Sequence, residues 1–221
     1  MQFVNHRLVE TLDGDGVDVK IEIYEGEKFI VERINILGNN VTNDSVIRGE
    51  MIIDEGDPFS AILLNKSVNK LKARNIFSKV ESRIKEGSEA NLKILEIDVE
   101  EKATGELMAG AGVGTDGTSF MAAVSENNWL GRGIKLQSSL NVSEEKVSGA
   151  IEVLNPNYNY SDNAVFGSFS LASSDLTQSS GYETSSTGVS LGTEFEQYEN
   201  IYLAPSFSMK HERIEAEDSA S

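Results

Sequence analysis

The chain has 221 residues, a formal net charge of −17 and no cysteine. Phosphate recognition needs a basic face, so that charge argues against nucleic acid as a partner. A missing thiol excludes both a disulfide framework and a thiolate metal site. No stretch of 18 apolar residues occurs, which excludes a membrane-spanning helix but leaves a β-barrel open, whose strands alternate over only about ten residues.

The charge is unevenly spread. Residues 1–103 hold 14 basic and 20 acidic residues, whereas 104–221 hold 5 and 16. Serine, asparagine, glycine and tyrosine rise where lysine and arginine fall, which predicts a domain boundary near 102–105.

Residues 6–12 and 17–24 read as a hairpin around Asp13-Gly14-Asp15-Gly16. An isolated hairpin is marginal in water, so the chain is expected to begin inside a domain. Residues 29–37 (FIVERINIL) form a predicted strand. A first helix is predicted over 43–51, with Thr42 as its N-cap, Asp44 at the positive end of its dipole, and Val46, Ile47 and Met51 buried. A second helix over 60–74 puts Leu64, Val68 and Leu71 on one stripe and closes at Asn75 in a left-handed cap. Strands over 80–85 and 92–100 complete a β-α-α-β-β order, enough for a small α+β core with helices on one face of a sheet.

From Thr104 onward only strands are predicted: 105–114, 118–126, 134–143, 146–154, 164–172, 184–195 and 200–210. Their period of two gives one apolar and one polar face. A turn at Thr115-Asp116-Gly117 contrasts with a long polar link over 173–183. Trp129, Tyr158, Tyr160, Tyr182 and Tyr198 fall at strand ends, where an aromatic girdle would lie. Alternation alone fits both a membrane barrel and a soluble antiparallel sandwich. The polar faces are rich in Ser, Asn, Gln, Gly and Glu, and the apolar faces have no polar partner, which favours the barrel.

No catalytic or metal constellation is found. Gly112 to Gly117 fits G-x-G-x-x-G, yet a strand rather than a helix is predicted to follow, so no dipole would meet a phosphate. Asp13, Asp15 and Asp18 resemble a calcium loop, but Asp18 and Tyr24 stand where such a loop needs glycine and glutamate. His6 and His211 have no i+4 partner. No cofactor is expected, and the chain is expected not to be an enzyme.

Several runs resemble one family in collinear order. Arg33-Ile34-Asn35-Ile36-Leu37-Gly38-Asn39, Asp44 to Met51, Glu55-Gly56-Asp57, Leu71 to Val80 and Val99 to Gly105 are similar to the last POTRA domain of the BamA family of outer-membrane β-barrel assembly factors. Gly110 to Gly117, Asn128-Trp129-Leu130-Gly131-Arg132-Gly133 and Asn155-Pro156-Asn157-Tyr158 resemble that family's first barrel strands. The resemblance implies residues 1–26 as the C-terminal hairpin of a preceding POTRA domain, 27–103 as a POTRA domain, and 104–221 as the first seven strands of an incomplete transmembrane barrel. It therefore implies a piece of a longer protein.

It further implies a periplasmic POTRA domain and a barrel in the outer membrane, acting on unfolded outer-membrane proteins together with assembly lipoproteins. Client strands would pair with the first barrel strand through Glu106, Leu107, Met108, Ala109, Gly110, Ala111, Gly112, Val113 and Gly114, and with exposed POTRA sheet edges. Leu107, Ala109, Ala111 and Val113 are placed on its outer face and the glycines inside, where glycine weakens strand pairing. Arg48 and Glu55 match positions on the lipoprotein-docking side. A related secretion or translocation transporter, a lipase carrying this module, and a soluble β-rich binding module are the alternatives.

Overall fold

The computed structural model describes residues 4–13, 16–25, 27–114 and 117–216. They form two units: one holds residues 1–39 and 50–101, the other 40–49 and 102–221. The break at 101/102 falls where the charge composition changes. Grouping of residues 40–49 with the second unit has no counterpart in the sequence pattern.

The first unit opens with strands β1 (Val4–Asp13) and β2 (Gly16–Glu25), paired antiparallel. Residues 14 and 15 of the turn predicted there lie outside the described residues. Leu8 stands opposite Ile21 and Leu12 opposite Val17, so the aliphatic side chains share one face, and all four are exposed.

Strand β3 (Ile30–Leu37), helix α2 (Ala61–Ala73), β4 (Phe77–Glu86) and β5 (Leu92–Glu101) follow, with α1 (Asp44–Arg48) between β3 and α2. The sheet order is β3-β5-β4, with β3 parallel and β4 antiparallel to β5. Alternation along β5 explains the core. Leu95, Ile97 and Val99 point inward and are at most 3 % exposed, while Glu96 and Asp98 pair with Lys85 and Arg83 at 2.6 and 3.4 Å on the other face.

Ser60 caps α2 by accepting from the Leu63 amide, Leu64, Val68 and Leu71 are buried, and Asn75 takes φ +59°. Buried Ser67 donates to the Leu63 carbonyl and accepts from the Ile52 amide at 2.8 Å, tying the interhelical loop to the helix. Helix α1 departs from expectation. It is shorter than 43–51, and its cap residue is Asn43, with no side-chain capping bond. Thr42 is buried, and its hydroxyl accepts from Asn128 Nδ2 at 2.9 Å.

The second unit is an antiparallel sheet of β6 (Gly105–Gly114), β7 (Gly117–Trp129), β8 (Ile134–Ser143), β9 (Lys146–Asn155), β10 (Ala164–Leu176) and β11 (Tyr182–Tyr198) in sequence order. Strands β12 (Ile201–Leu203) and β13 (Ser206–Ala216) both pair with β11. The expected single strand over 200–210 is thus broken at Ala204-Pro205, because proline has no amide to offer a ladder; its carbonyl still accepts from Thr193 N at 3.1 Å. The long link over 173–183 is also corrected. β10 runs on to Leu176, and only a four-residue helix, α3 (Thr177–Ser180), and Gly181 at φ +73° separate it from β11.

Register converts the alternation into a geometry. One cross-strand row reads Leu107, Val124, Ser138, Ile151, Phe169, Val189 and Met209. Two steps toward the 144–145 turn, the row reads Ala111, Phe120, Val142 and Val147, then turns polar at Ser173, Ser185 and Arg213. One step the other way it begins with Gly105 and Glu126 and becomes apolar at Leu136, Val153, Leu191 and Phe207. The apolar band therefore runs obliquely to the register. A hydrocarbon layer of fixed thickness crossed by strands tilted about 35–45° demands this slant. Phe120, Leu140, Ile151, Phe169, Leu191 and Phe207 are exposed on this face. A sandwich would bury them, so the soluble alternative lacks its second sheet among the described residues.

The opposite face carries Glu106, Gln137, Glu152, Lys210 and Glu212. Two hollows lie on it, one beside Met108, Gln137, Ser139 and Glu152, the other beside Ser119, Met121, Asn141 and Ser148.

Candidate site for strand pairing

Strand β6 ends the sheet, with β7 on one side and no partner on the other among the described residues. All ten of its residues are exposed. Alternation puts Glu106, Met108, Gly110, Gly112 and Gly114 on the polar face, and Leu107, Ala109, Ala111 and Val113 on the apolar one. Antiparallel register with β7 is unbroken from Gly105 opposite Glu126 to Gly114 opposite Gly117. Such a strand offers a row of unpaired amides and carbonyls along one edge. A Cβ placed on Gly110 would meet nothing within 4 Å, and one on Gly112 only Ser119 Oγ at 3.5 Å. The glycines therefore relieve no crowding here; their effect is to weaken the strand by entropy and missing side-chain contacts. Gly117 is followed by strand rather than helix, so the glycine pattern at 112–117 presents no helix N-terminus to a phosphate.

The base of β6 is built differently from its length. The Thr104 carbonyl accepts from the Asn127 amide at 3.2 Å, and Thr104 Oγ1 donates to Glu126. Glu126 also accepts from the Asn128 amide at 2.7 Å. Asn128 is buried; its Nδ2 donates to Thr42 and its Oδ1 accepts from Gly133 N at 2.7 Å. The turn after β7 closes on residues 40–43 as well: Asn43 N donates to the Gly131 carbonyl at 2.8 Å. At Gly131, φ is +70° and a Cβ would lie 2.1 Å from the Val41 carbonyl oxygen, so only glycine fits. Asn157 Nδ2 likewise donates to the Gly49 carbonyl at 2.8 Å. Within this unit the two polar turns that end β7 and β9 hold residues 40–49. The sequence reading gave Glu126 no role and noted Asn128 only within the motif that runs to Gly133, without its buried hydrogen bonds.

Arg48 and Glu55 are engaged locally. Arg48 Nε donates to Asp44 Oδ2 at 2.6 Å, one turn back along α1. Glu55 Oε1 accepts from the Ile34 amide at 3.0 Å. The loop around Glu55 continues along β3: Gly56 N donates to the Val31 carbonyl, Val31 N to the Asp57 carbonyl, and Phe59 N to the Phe29 carbonyl, all within 2.9 Å. One of the two POTRA-type sheet edges expected to be open is thus covered over 29–34. The other, β4, carries alternating charge, with Lys79 and Glu81 at 2.9 Å. Their hydrogen bond raises the Lys79 ammonium above its ordinary pKa and holds the Glu81 carboxyl below its own.

The aromatic residues sort by sheet end. Trp129, Tyr158, Tyr160 and Tyr198 lie at the end bearing the turns after β7, β9 and β11, together with Tyr202, whereas Tyr182 lies at the other. Such residues favour the depth where lipid meets water.

Comparison with known proteins places these features in context. Residues 29–102 match the POTRA family, described as the surface antigen variable number repeat. A putative outer membrane protein assembly factor of Treponema pallidum is 31% identical over 207 residues, which is 89% of this chain and 24% of that protein. Outer membrane protein assembly factor BamA of Nitratidesulfovibrio vulgaris is 28% identical over 162 residues, covering 72% of this chain and 20% of the relative. The chain thus spans about a quarter or less of the curated relatives it matches. In three dimensions it aligns with the crystal structure of BamA from Haemophilus ducreyi lacking POTRA domains 1–3, at a TM-score of 0.72 and 20% identity, over 96% of this chain and 41% of that one. At that identity the alignment speaks for the fold.

Proposed function

This chain is BamA-like, a POTRA domain followed by antiparallel strands of an outer-membrane β-barrel, and we propose that it takes part in folding β-barrel proteins and inserting them into the outer membrane. Residues 27–103 form its POTRA domain in the periplasm, residues 1–26 the last hairpin of another, and residues 104–221 the first strands of the barrel.

One observation carries the reading: Gly110, Gly112 and Gly114 stand on the polar face of β6, and a Cβ on any of them would meet at most the Ser119 hydroxyl at 3.5 Å, so the strand holds its neighbour there by backbone alone. An unpaired backbone group in lipid costs several kcal/mol, so an edge here requires a partner strand. In the resting protein that partner is the barrel's final strand. Because residues 106–114 hold their neighbours mainly by backbone, they can exchange that partner for the edge of an incoming client, main-chain pairing supplying the affinity. No acid, base or nucleophile takes part, and the role needs no enzyme chemistry. On the periplasmic side β4 is the POTRA edge left for extended chains. Arg48 and Glu55 mark the side that docks assembly lipoproteins, acting there through the Asp44–Arg48 pair and the loop that Glu55 anchors on β3.

The test is a reversible lock. In full-length protein, a cysteine pair joining β6 to the barrel's final strand is expected to stop client insertion in a reconstituted vesicle assay, and reductant to restore it. Full insertion with the bridge demonstrably closed overturns the proposal.

A further inference from the structure

We propose that residues 40–43 form a second lipid contact, with Val41 seated beside Leu130 in the headgroup layer at the turn end of the barrel strands; this rests on the barrel reading above. Val41 and Leu130 are each 69 % exposed, among the most exposed aliphatic side chains of their unit. They are neighbours through backbone: the Val41 carbonyl oxygen lies against Gly131, Asn43 N binds the Gly131 carbonyl, and Thr42 binds Asn128. The segment is therefore fixed on the turn rather than swinging beside it.

The apolar face of β8 leads toward this patch through Leu136 and Ile134, while on β7 Glu126 stands between Val124 and Trp129. Trp129 stands opposite Ile134, which shares a face with Leu136, Leu140 and Val142 of the apolar band. Leu130 is the next residue. Trp129, Tyr158, Tyr160, Tyr198 and Tyr202 mark the same end as the depth of the lipid–water boundary. Buried Thr42 and exposed Val41 divide the work: the hydroxyl holds the turn, and the isopropyl group is left for lipid. Water is a poor solvent for exposed aliphatic side chains, and Val41 and Leu130 are both exposed on segments joined by backbone contacts. The occupant chosen is the bilayer surface because the patch lies at the Trp129–Ile134 end of the face that the barrel reading turns to lipid.

The experiment places a nitroxide at Val41→Cys in otherwise cysteine-free full-length protein, reconstituted in nanodiscs of phosphatidylethanolamine and phosphatidylglycerol. Controls carry the label at Leu191→Cys, within the apolar band, and at Lys66→Cys, on the exposed side of α2. Collision with oxygen is compared with collision with a water-soluble nickel chelate. Position 41 is expected to lose nickel collisions relative to position 66 and to gain oxygen collisions, at a depth between those of 66 and 191. Nickel access at 41 equal to that at 66, with 191 still at hydrocarbon depth, overturns this contact and leaves the barrel intact. Nickel access at 191 itself overturns the barrel reading and this contact with it. Labelling Leu130→Cys gives a second reading that leaves Val41 in place, with the same expected loss.

Discussion

Asn128 shows how much one buried amide can organise. Its two ends satisfy Thr42 and the Gly133 amide, 86 and 5 residues away in the chain. Asn128→Ala removes both hydrogen bonds, at a cost of about 0.5–1.5 kcal/mol each. Denaturant unfolding of the full-length protein in lipid vesicles should show that loss. Glu81 is a contrasting case, a surface carboxylate whose charged form is favoured by Lys79. Its pKa is lower folded than unfolded, so its contribution is present above the unfolded value and is lost as pH falls through the folded one. Melts of residues 27–103 should therefore lose a small, salt-sensitive increment on acidification that Glu81→Gln abolishes. An unchanged acid profile in that variant would remove Glu81 from the account.

At the scale of elements, two kinds of strand are present. Strands β3, β4 and β5 bury Ile34, Val80, Leu95 and Ile97 against their own helix and loop, whereas β6 to β13 leave their apolar face exposed. Residues 27–103 are accordingly expected to unfold in one cooperative transition in water. Residues 104–221 should fold only with detergent or lipid, since burial of apolar surface is the main driving force and here its partner is the bilayer. Calorimetry on both pieces decides this; a sharp transition of the second piece in plain buffer would return the sandwich to contention.

For the whole molecule, the oblique apolar band is the decisive feature, and it makes localisation measurable. Full-length protein should fractionate with the outer membrane and resist alkaline extraction. Its recovery in the soluble fraction would contradict the lipid-facing assignment of Phe169, Val189 and Met209.

The sequence by itself determined the elements that local physics controls. Period-two alternation located β6, β8 and β9 to within a residue and β7, β10 and β11 with ends up to four residues short, the 64-68-71 stripe and Ser60 located α2, and Asn75 marked its end. It also pointed to a family, through turn motifs whose glycines and asparagines have steric and hydrogen-bonding reasons to be there. What it did not decide is long-range pairing. Thr42 reads as a helix cap, because serine and threonine commonly serve so next to an acidic first turn, yet a better partner, Asn128, comes from 86 residues away. Glu55 reads as a charge in the loop after the first helix, and only the fold shows that its carboxylate also accepts from the Ile34 amide of β3. The slant of the apolar band is invisible in any single strand, since alternation fixes only which face a residue occupies. Its height in the membrane follows from register across seven strands, and register exists only once the sheet has formed.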